Sequence, residues 1–233
     1  MVSCGVAGSG VVGVSHGMRV VLMGPPGAGK GTQARFITRE WGVPHVSTGD
    51  MIREAIRQGE GPGNEAKSII DAGNLLPDAL VLQIVEKRLG NKDCRSGFIL
   101  DGYPRNLRQA RDLDAVLERQ ATPLERVIEL LLDDEVVVYR LTKRRTCTGC
   151  GRVFHLEFNR PAVDGICDAC QAPLVLREDD KADTIRKRLA LYHSSAEALR
   201  GFYGDRSLLS QVQARQEVEE VAQQLREALR GLS

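Results

Sequence analysis

Val20–Met23 and Phe98–Leu100 are unbroken apolar runs, and Arg126–Leu132 is apolar except at its first and fourth positions. Short continuous runs of this kind suit strands buried on both faces, the situation inside a parallel sheet. Elsewhere apolar residues recur at helical spacing, with helix starts predicted near Gly29, Asp50, Pro77, Leu107, Glu135, Ala182 and Gln216. Several carry proline or acidic residues in the first turn, where the unpaired N–H groups and the helix dipole favour them. The alternation predicts an α/β fold, a parallel sheet flanked by crossover helices. Two stretches break the rhythm. Residues 47–76 are polar and helical, interrupted by Gly59, Gly61, Gly63 and Gly73, and residues 143–180 hold most of the cysteines among turn signals. Both are expected to be insertions on a core made of residues 18–46, 77–142 and 181–233, and such insertions are candidate lids.

The first apolar run leads into Gly24-Pro25-Pro26-Gly27-Ala28-Gly29-Lys30-Gly31-Thr32. Glycines let successive backbone N–H groups wrap anionic oxygens, the following helix turns its positive end toward them, and Lys30 adds a full charge. The segment is therefore expected to grip the phosphates of a nucleotide. It departs from G-x-x-x-x-G-K-[ST] at the last position, where Gly31 replaces the hydroxyl residue that ligates magnesium and Thr32 supplies one a residue later. A second glycine-rich match, Gly8 to Gly13, has no strand before it. It is expected to be an accident of composition within a disordered extension, residues 1–17.

Lys and Arg total 32 against 31 Asp and Glu in 233 residues, so no overall field exists to hold a polynucleotide or an anionic membrane. No apolar run approaches the ~18 to 20 residues that span a bilayer, and the cytoplasm is the expected compartment. Four of the six cysteines form Cys147-x2-Cys150 and Cys167-x2-Cys170, with 16 residues between the pairs. Two tight turns that each present two soft thiolates suit a closed tetrahedral metal site. Zn²⁺ takes four such ligands without redox chemistry; iron and disulfides are the competing readings. A metal with all its positions filled by protein would be structural. Between residues 143 and 180, Lys143, Arg144, Arg145, Arg152, Arg160 and Arg177 are balanced by Glu157, Asp164, Asp168, Glu178, Asp179 and Asp180. A finger that binds nucleic acid would carry a net basic face instead.

Phosphoryl transfer needs cations around the moving group and exclusion of water. Arginines stand inside four conspicuous segments: Ser47-Thr48-Gly49-Asp50-Met51-Ile52-Arg53, Asp101-Gly102-Tyr103-Pro104-Arg105, Arg144-Arg145 before the cysteine pairs, and Arg177-Glu178-Asp179-Asp180 before Ile185-Arg186-Lys187-Arg188-Leu189. With Asp71-Ala72-Gly73 and the phosphate loop, these segments resemble the adenylate kinase family in its long-lid, zinc-containing bacterial form, from about Met18 to the C-terminus.

The resemblance implies the P-loop nucleoside monophosphate kinase fold, the reaction ATP + AMP ⇌ 2 ADP with Mg²⁺, and a monomer that binds neither nucleic acid nor membrane. Residues 47–76 would be the AMP-binding domain and residues 143–180 the zinc-holding ATP lid. By the same resemblance, Gly27, Ala28, Gly29, Lys30, Gly31, Thr32, Arg140, Arg144, Val153, Phe154 and the backbone at Gln216 would bind ATP. Thr48, Arg53, Asn74, Leu75, Leu76, Gly102, Tyr103, Pro104, Arg105, Gln109, Arg177 and Arg188 would bind AMP, and the Tyr103–Pro104 bond would be cis. Lys30, Arg105, Arg140, Arg144, Arg177 and Arg188 would be catalytic, Asp50 and Asp101 would orient magnesium-bound water, and Cys147, Cys150, Cys167 and Cys170 would hold zinc. His155 and Glu157 are not needed as a base, because the attacking phosphate is already deprotonated. A kinase for UMP or CMP is the alternative within the class, and a zinc-containing, nucleic-acid-binding ATPase the alternative outside it.

Overall fold

The computed structural model describes residues 17–58 and 63–232; the Gly8–Gly13 motif, Cys4, Gly59 and Gly61 lie outside the described residues. In chain order the elements are β1 (Met18–Met23), α1 (Lys30–Trp41), β2 (His45–Ser47), α2 (Thr48–Gln58), α3 (Gly63–Asp71), α4 (Asp78–Leu89), β3 (Gly97–Asp101), α5 (Leu107–Arg119), β4 (Arg126–Leu131), α6 (Asp134–Thr142), β5 (Arg144–Cys147), β6 (Val153–His155), β7 (Leu174–Val175), α7 (Ala182–Gly204), β8 (Leu209–Gln213) and α8 (Val218–Leu229). Every predicted helix is present and starts within two residues of its expected position.

Five strands form one parallel sheet in the order β2-β3-β1-β4-β8. The three apolar runs are its central strands. Because side chains alternate along a strand, the sheet splits its apolar residues between two layers. Val21, Phe98, Leu100 and Val127 pack with Val85 of α4, Leu113 of α5 and Tyr203 of α7, while Val20, Leu22, Ile99 and Ile128 pack with Ile37 of α1 and Leu225 of α8. The chain runs outward from β1 in both directions, to β3 on one side and β4 on the other. The crevice beyond the carboxyl end of β1 is thus a topological switch point, where sheets of this kind bind ligands.

Both interruptions of the rhythm stand outside this sheet. Helices α2 and α3 pack on each other between β2 and α4. Between α6 and α7 the chain makes a small antiparallel sheet of order β6-β5-β7. Its apolar interior consists of Cys147, Phe154 and Cys167, with Ala172 and Leu174 alongside. The edge strands β2 and β8 were not predicted: β2 has three residues, and β8 reads Leu-Ser-Gln-Val-Gln, with one buried position.

Candidate active site

A cleft of about 1020 Å³ opens at the switch point, bounded by the loop after β1, by α2, by the β5–β6 sheet and by the start of α7. Of the residues expected to meet nucleotide or magnesium, all line this cleft except Tyr103. The Tyr103–Pro104 bond is cis, as expected, but the ring of Tyr103 is 1% exposed and belongs to the apolar layer beneath the sheet. An aromatic ring recovers more free energy in that layer than at a polar rim, so the Tyr103 ring faces the core and not the cleft.

The loop between β1 and α1 is shaped by close backbone approach. Gly24 has φ 136°, and a Cβ there would lie 2.5 Å from the Leu130 carbonyl oxygen, so no larger residue fits. Lys30 opens α1, and its ammonium group donates to the carbonyls of Gly24 and Pro25 at 2.9 and 2.8 Å. Burial brings the Lys30 pKa down to about 8; Asp101 pulls it up, and Arg105, Arg188 and Arg144 push it down again. Opposite the loop, a Cβ at Gly31 would meet Asp101 Oδ2 at 3.6 Å. The glycine that departs from the general phosphate-loop pattern therefore stands directly opposite a carboxylate, at a distance where a Cβ would make an ordinary contact.

The two aspartates expected to organise magnesium are differently placed. Asp101 faces the loop, with His45 Nε2 3.4 Å from its Oδ2. Asp50, in the first turn of α2, is 65% exposed at its side chain and accepts from Arg53 Nη2 at 2.6 Å. An ion pair within its own helix occupies Asp50, and the structure brings only Asp101 to Lys30.

Guanidinium groups crowd the rest of the cleft. Burial lowers the Arg105 pKa to about 10, helped by Arg188 and Arg53, and lowers that of Arg177 to about 9, helped by Arg144 and Arg53. Arg188 and Arg140 are also pulled down by burial. All remain cations at neutral pH, held near one another in a space that burial makes costly for charge. Part of that cost is offset by two aspartates to which the sequence reading gave no role. Asp180 is fully buried and receives two hydrogen bonds from Arg144, at 2.8 and 2.6 Å. Arg188 reaches Asp179 Oδ2 at 3.0 Å and Asp180 Oδ1 at 3.4 Å. The acidic run Glu178-Asp179-Asp180 after Arg177, where the chain re-enters the core, was the available signal. The cage still has more positive charge than negative, which is the arrangement of a site built for polyanions.

The matching model is that of the family "Adenylate kinase", which covers residues 22–208. An adenylate kinase of Salinispora tropica is 46% identical over 216 residues, 93% of this chain and 100% of the relative. One of Bacillus subtilis is 44% identical over 215 residues, 92% and 99% of the two chains, and one of Thermoanaerobacter sp. (strain X514) is 44% identical over 212 residues, 91% and 98%.

The chain belongs to the adenylate kinase family.

Two further features complete the site of this adenylate kinase family member. Gln109 is 1% exposed; its Oε1 accepts from the Arg105 backbone N–H at 2.7 Å and its Nε2 donates to Asp78 Oδ1 at 2.7 Å. Both ends of the amide are thus held in place at the edge of the cleft, which Gln109 lines. In the small sheet, Glu157 is occupied by Lys143 and Tyr139, and His155 Nδ1 accepts from the Glu157 backbone N–H at 3.1 Å. Both side chains are thereby tied into the small sheet.

The four cysteines are free thiols whose sulfurs all lie within 4.8 Å of one another, with Cys147 and Cys170 3.3 Å apart and Cys150 and Cys167 3.6 Å apart. Two matching turns bring them there. The Cys147 N–H donates to Arg152 O and the Gly151 N–H to Cys147 O, at 2.9 and 3.1 Å; the Cys167 N–H donates to Ala172 O and the Gln171 N–H to Cys167 O, at 3.0 and 2.9 Å. Gly151 and Gln171, the residues after each pair, have φ 71° and 61°. Four sulfurs at such separations can surround one metal ion at the ~2.3 Å typical of zinc–thiolate bonds. At the rim, Arg57 of α2 donates to the carbonyl of Gly149, inside the first of these turns, at 3.1 Å.

Proposed function

We propose that this enzyme transfers the terminal phosphoryl group of ATP to AMP, giving two ADP, reversibly and with magnesium. The observation that carries this reading is the excess of cations lining one cleft whose floor is a phosphate-gripping loop. Residues 47–76 serve as the AMP-binding domain and residues 143–180 as the ATP lid, both hinged on the core. Lys30, Arg140 and Arg144 hold ATP phosphates, while Arg53, Arg105, Arg177 and Arg188 surround the AMP phosphate and the moving group. Paired N–H groups on each guanidinium match phosphate oxygens, so the cage both aligns donor with acceptor and stabilises the charge that spreads over the transferring oxygens. Thr48, Gln109 and the backbone of residues 74–76 face the AMP base, and Val153, Phe154 and the backbone at Gln216 face the ATP base. Closure of both flaps excludes the water that would otherwise hydrolyse ATP.

Magnesium bound between ATP oxygens would neutralise charge on them. Asp101, opposite Gly31 and beside Lys30, is the carboxylate suited to hold its water. Zinc on Cys147, Cys150, Cys167 and Cys170 would be structural. The free thiols accord with a cytoplasmic protein, and we propose a monomer; among the described residues, no helix is long and apolar enough to cross a membrane.

Purified enzyme is expected to form ADP from ATP and AMP, with GMP, CMP and UMP far poorer acceptors in a coupled assay. Phosphoryl transfer to UMP or CMP with AMP inert would refute the acceptor assignment. Lys30 gives a pH test. Its pKa is about 8 in the free protein, and phosphate oxygens would raise it in the complex. Below pH 8 the lysine is charged in both states and ATP affinity should be flat. Above it, binding must take up a proton, so affinity should fall by up to about tenfold per pH unit. Calorimetric titration at pH 8.5 in buffers of different ionisation enthalpy should register uptake of roughly three-quarters of a proton, absent in Lys30→Met. Uptake unchanged in that variant would move the effect to another group.

A further inference from the structure

Glu129 breaks the apolar run of β4, opposite Met23 of β1 and Gln211 of β8, and its side chain is fully buried. A carboxylate in the middle of a sheet is costly unless every lone pair is used, and an apolar residue there would cost less. All of its lone-pair directions are served. Oε1 accepts from Tyr192 Oη at 2.7 Å and from Arg200 Nε at 3.0 Å; Oε2 accepts from Arg200 Nε at 2.9 Å and from Gln211 Nε2 at 2.9 Å. These bonds outweigh the burial that would otherwise raise its pKa, and the group is held below the usual carboxylate range.

Two of the three donors lie on α7, which is also the helix that carries Arg188 into the cage. Arg188 and Tyr192 are four residues apart, one turn, on neighbouring positions of one face. The apolar residues of α7, such as Ile185, Leu189 and Leu199, decide which side of the helix meets the core. Contacts of that kind tolerate a small rotation or slide, whereas a hydrogen bond to a fixed oxygen does not. Tyr192 itself lines the cleft.

We propose that Glu129 is a positioning residue that acts through Tyr192: its carboxylate fixes the rotation and height of α7 on the sheet, and so the place of the Arg188 guanidinium around the transferring phosphoryl group. The inference rests on the phosphotransfer reading above. It explains why a charge was built into β4 at a point that no substrate reaches.

The test uses Tyr192→Phe, which keeps the ring and its packing and removes the hydroxyl that donates to Glu129, whereas Glu129→Ala takes away the carboxylate that pairs with Arg200. The expected result is a kcat lower by about tenfold or more, with KM for ATP and AMP each within about twofold of wild type. In a double-mutant cycle with Arg188→Lys, the two losses in kcat should be strongly non-additive, since both report on one guanidinium. A lowered melting temperature with unchanged kcat would overturn the proposal and leave Glu129 a structural anchor; additive losses would overturn it too. The two readings fail separately: a wild-type protein that makes no ADP refutes the phosphotransfer reading, whereas an active wild type matched by Tyr192→Phe refutes this inference alone.

Discussion

Replacing Arg105 by alanine is expected to lower kcat by about 10³-fold while the melting temperature stays unchanged or rises. The loss follows from position. Arg105 lies in the cleft with Arg188, Arg53 and Lys30, where charge on the transferring phosphoryl would develop. The stability half of the prediction follows from its partners. Its one hydrogen bond through the guanidinium goes from Nε to the Gly102 carbonyl at 2.7 Å, and among the described residues no carboxylate forms an ion pair with it. Burial and neighbouring cations already lower its pKa, so the folded protein is holding a charge that it does not need for folding. Removing that charge relieves repulsion in the unliganded state. Steady-state kinetics and thermal unfolding check both halves, and phosphate ions should stabilise wild type more than the variant, because fewer cations remain to bind them. A variant that melts several degrees lower and keeps its kcat would contradict the role. Arg144→Ala is a less clean experiment, since it strips the fully buried Asp180 of its two short hydrogen bonds and mixes a folding defect with a catalytic one.

What the sequence disclosed follows from how completely each element is buried. The central strands β1, β3 and β4 are covered on both faces and announce themselves as apolar runs. The edge strands β2 and β8 are half covered, so their residues alternate or stop too soon to form a run. The phosphate loop was legible because its glycines and lysine are local chemistry, and the cysteine turns because paired spacing is local geometry. The counter-ions were not. Asp179 and Asp180 look like part of a solvated acidic stretch, and only folding brings them under Arg144 and Arg188. The placement of the Tyr103 ring was hidden for the same reason, since its neighbours in sequence line the cleft while the ring packs in the core. Asp50 stands near Asp101 in the motif order yet folds into a pair with Arg53.

If the four thiols hold the proposed metal, stripping it is expected to disorder the small sheet while the main sheet persists, and to reduce turnover on the order of a hundredfold. The small sheet has little apolar interior of its own. Its apolar cluster is Cys147, Phe154 and Cys167 with two partly buried neighbours, two of the three buried members being the thiols themselves. The two cysteine turns come from opposite ends of the insertion, and without a shared ion four sulfurs within 4.8 Å of one another have no charge to gather around. The core, in contrast, has two apolar layers built on the five-stranded sheet, neither of which includes a residue from β5, β6 or β7. Loss of the turn at Cys147–Cys150 also removes the Gly149 carbonyl that Arg57 reaches across the rim, so closure over the nucleotides should suffer before the fold does. A chelator at neutral pH, or Cys167→Ser with Cys170→Ser, should give two calorimetric transitions in place of one, and metal analysis should find one ion per chain lost. Amides of residues 144–147 and 153–155 should exchange quickly while those of β1, β3 and β4 stay protected. A single cooperative collapse of both sheets on chelation would mean that the metal stabilises the whole molecule, and the insertion could then no longer be treated as an independent flap.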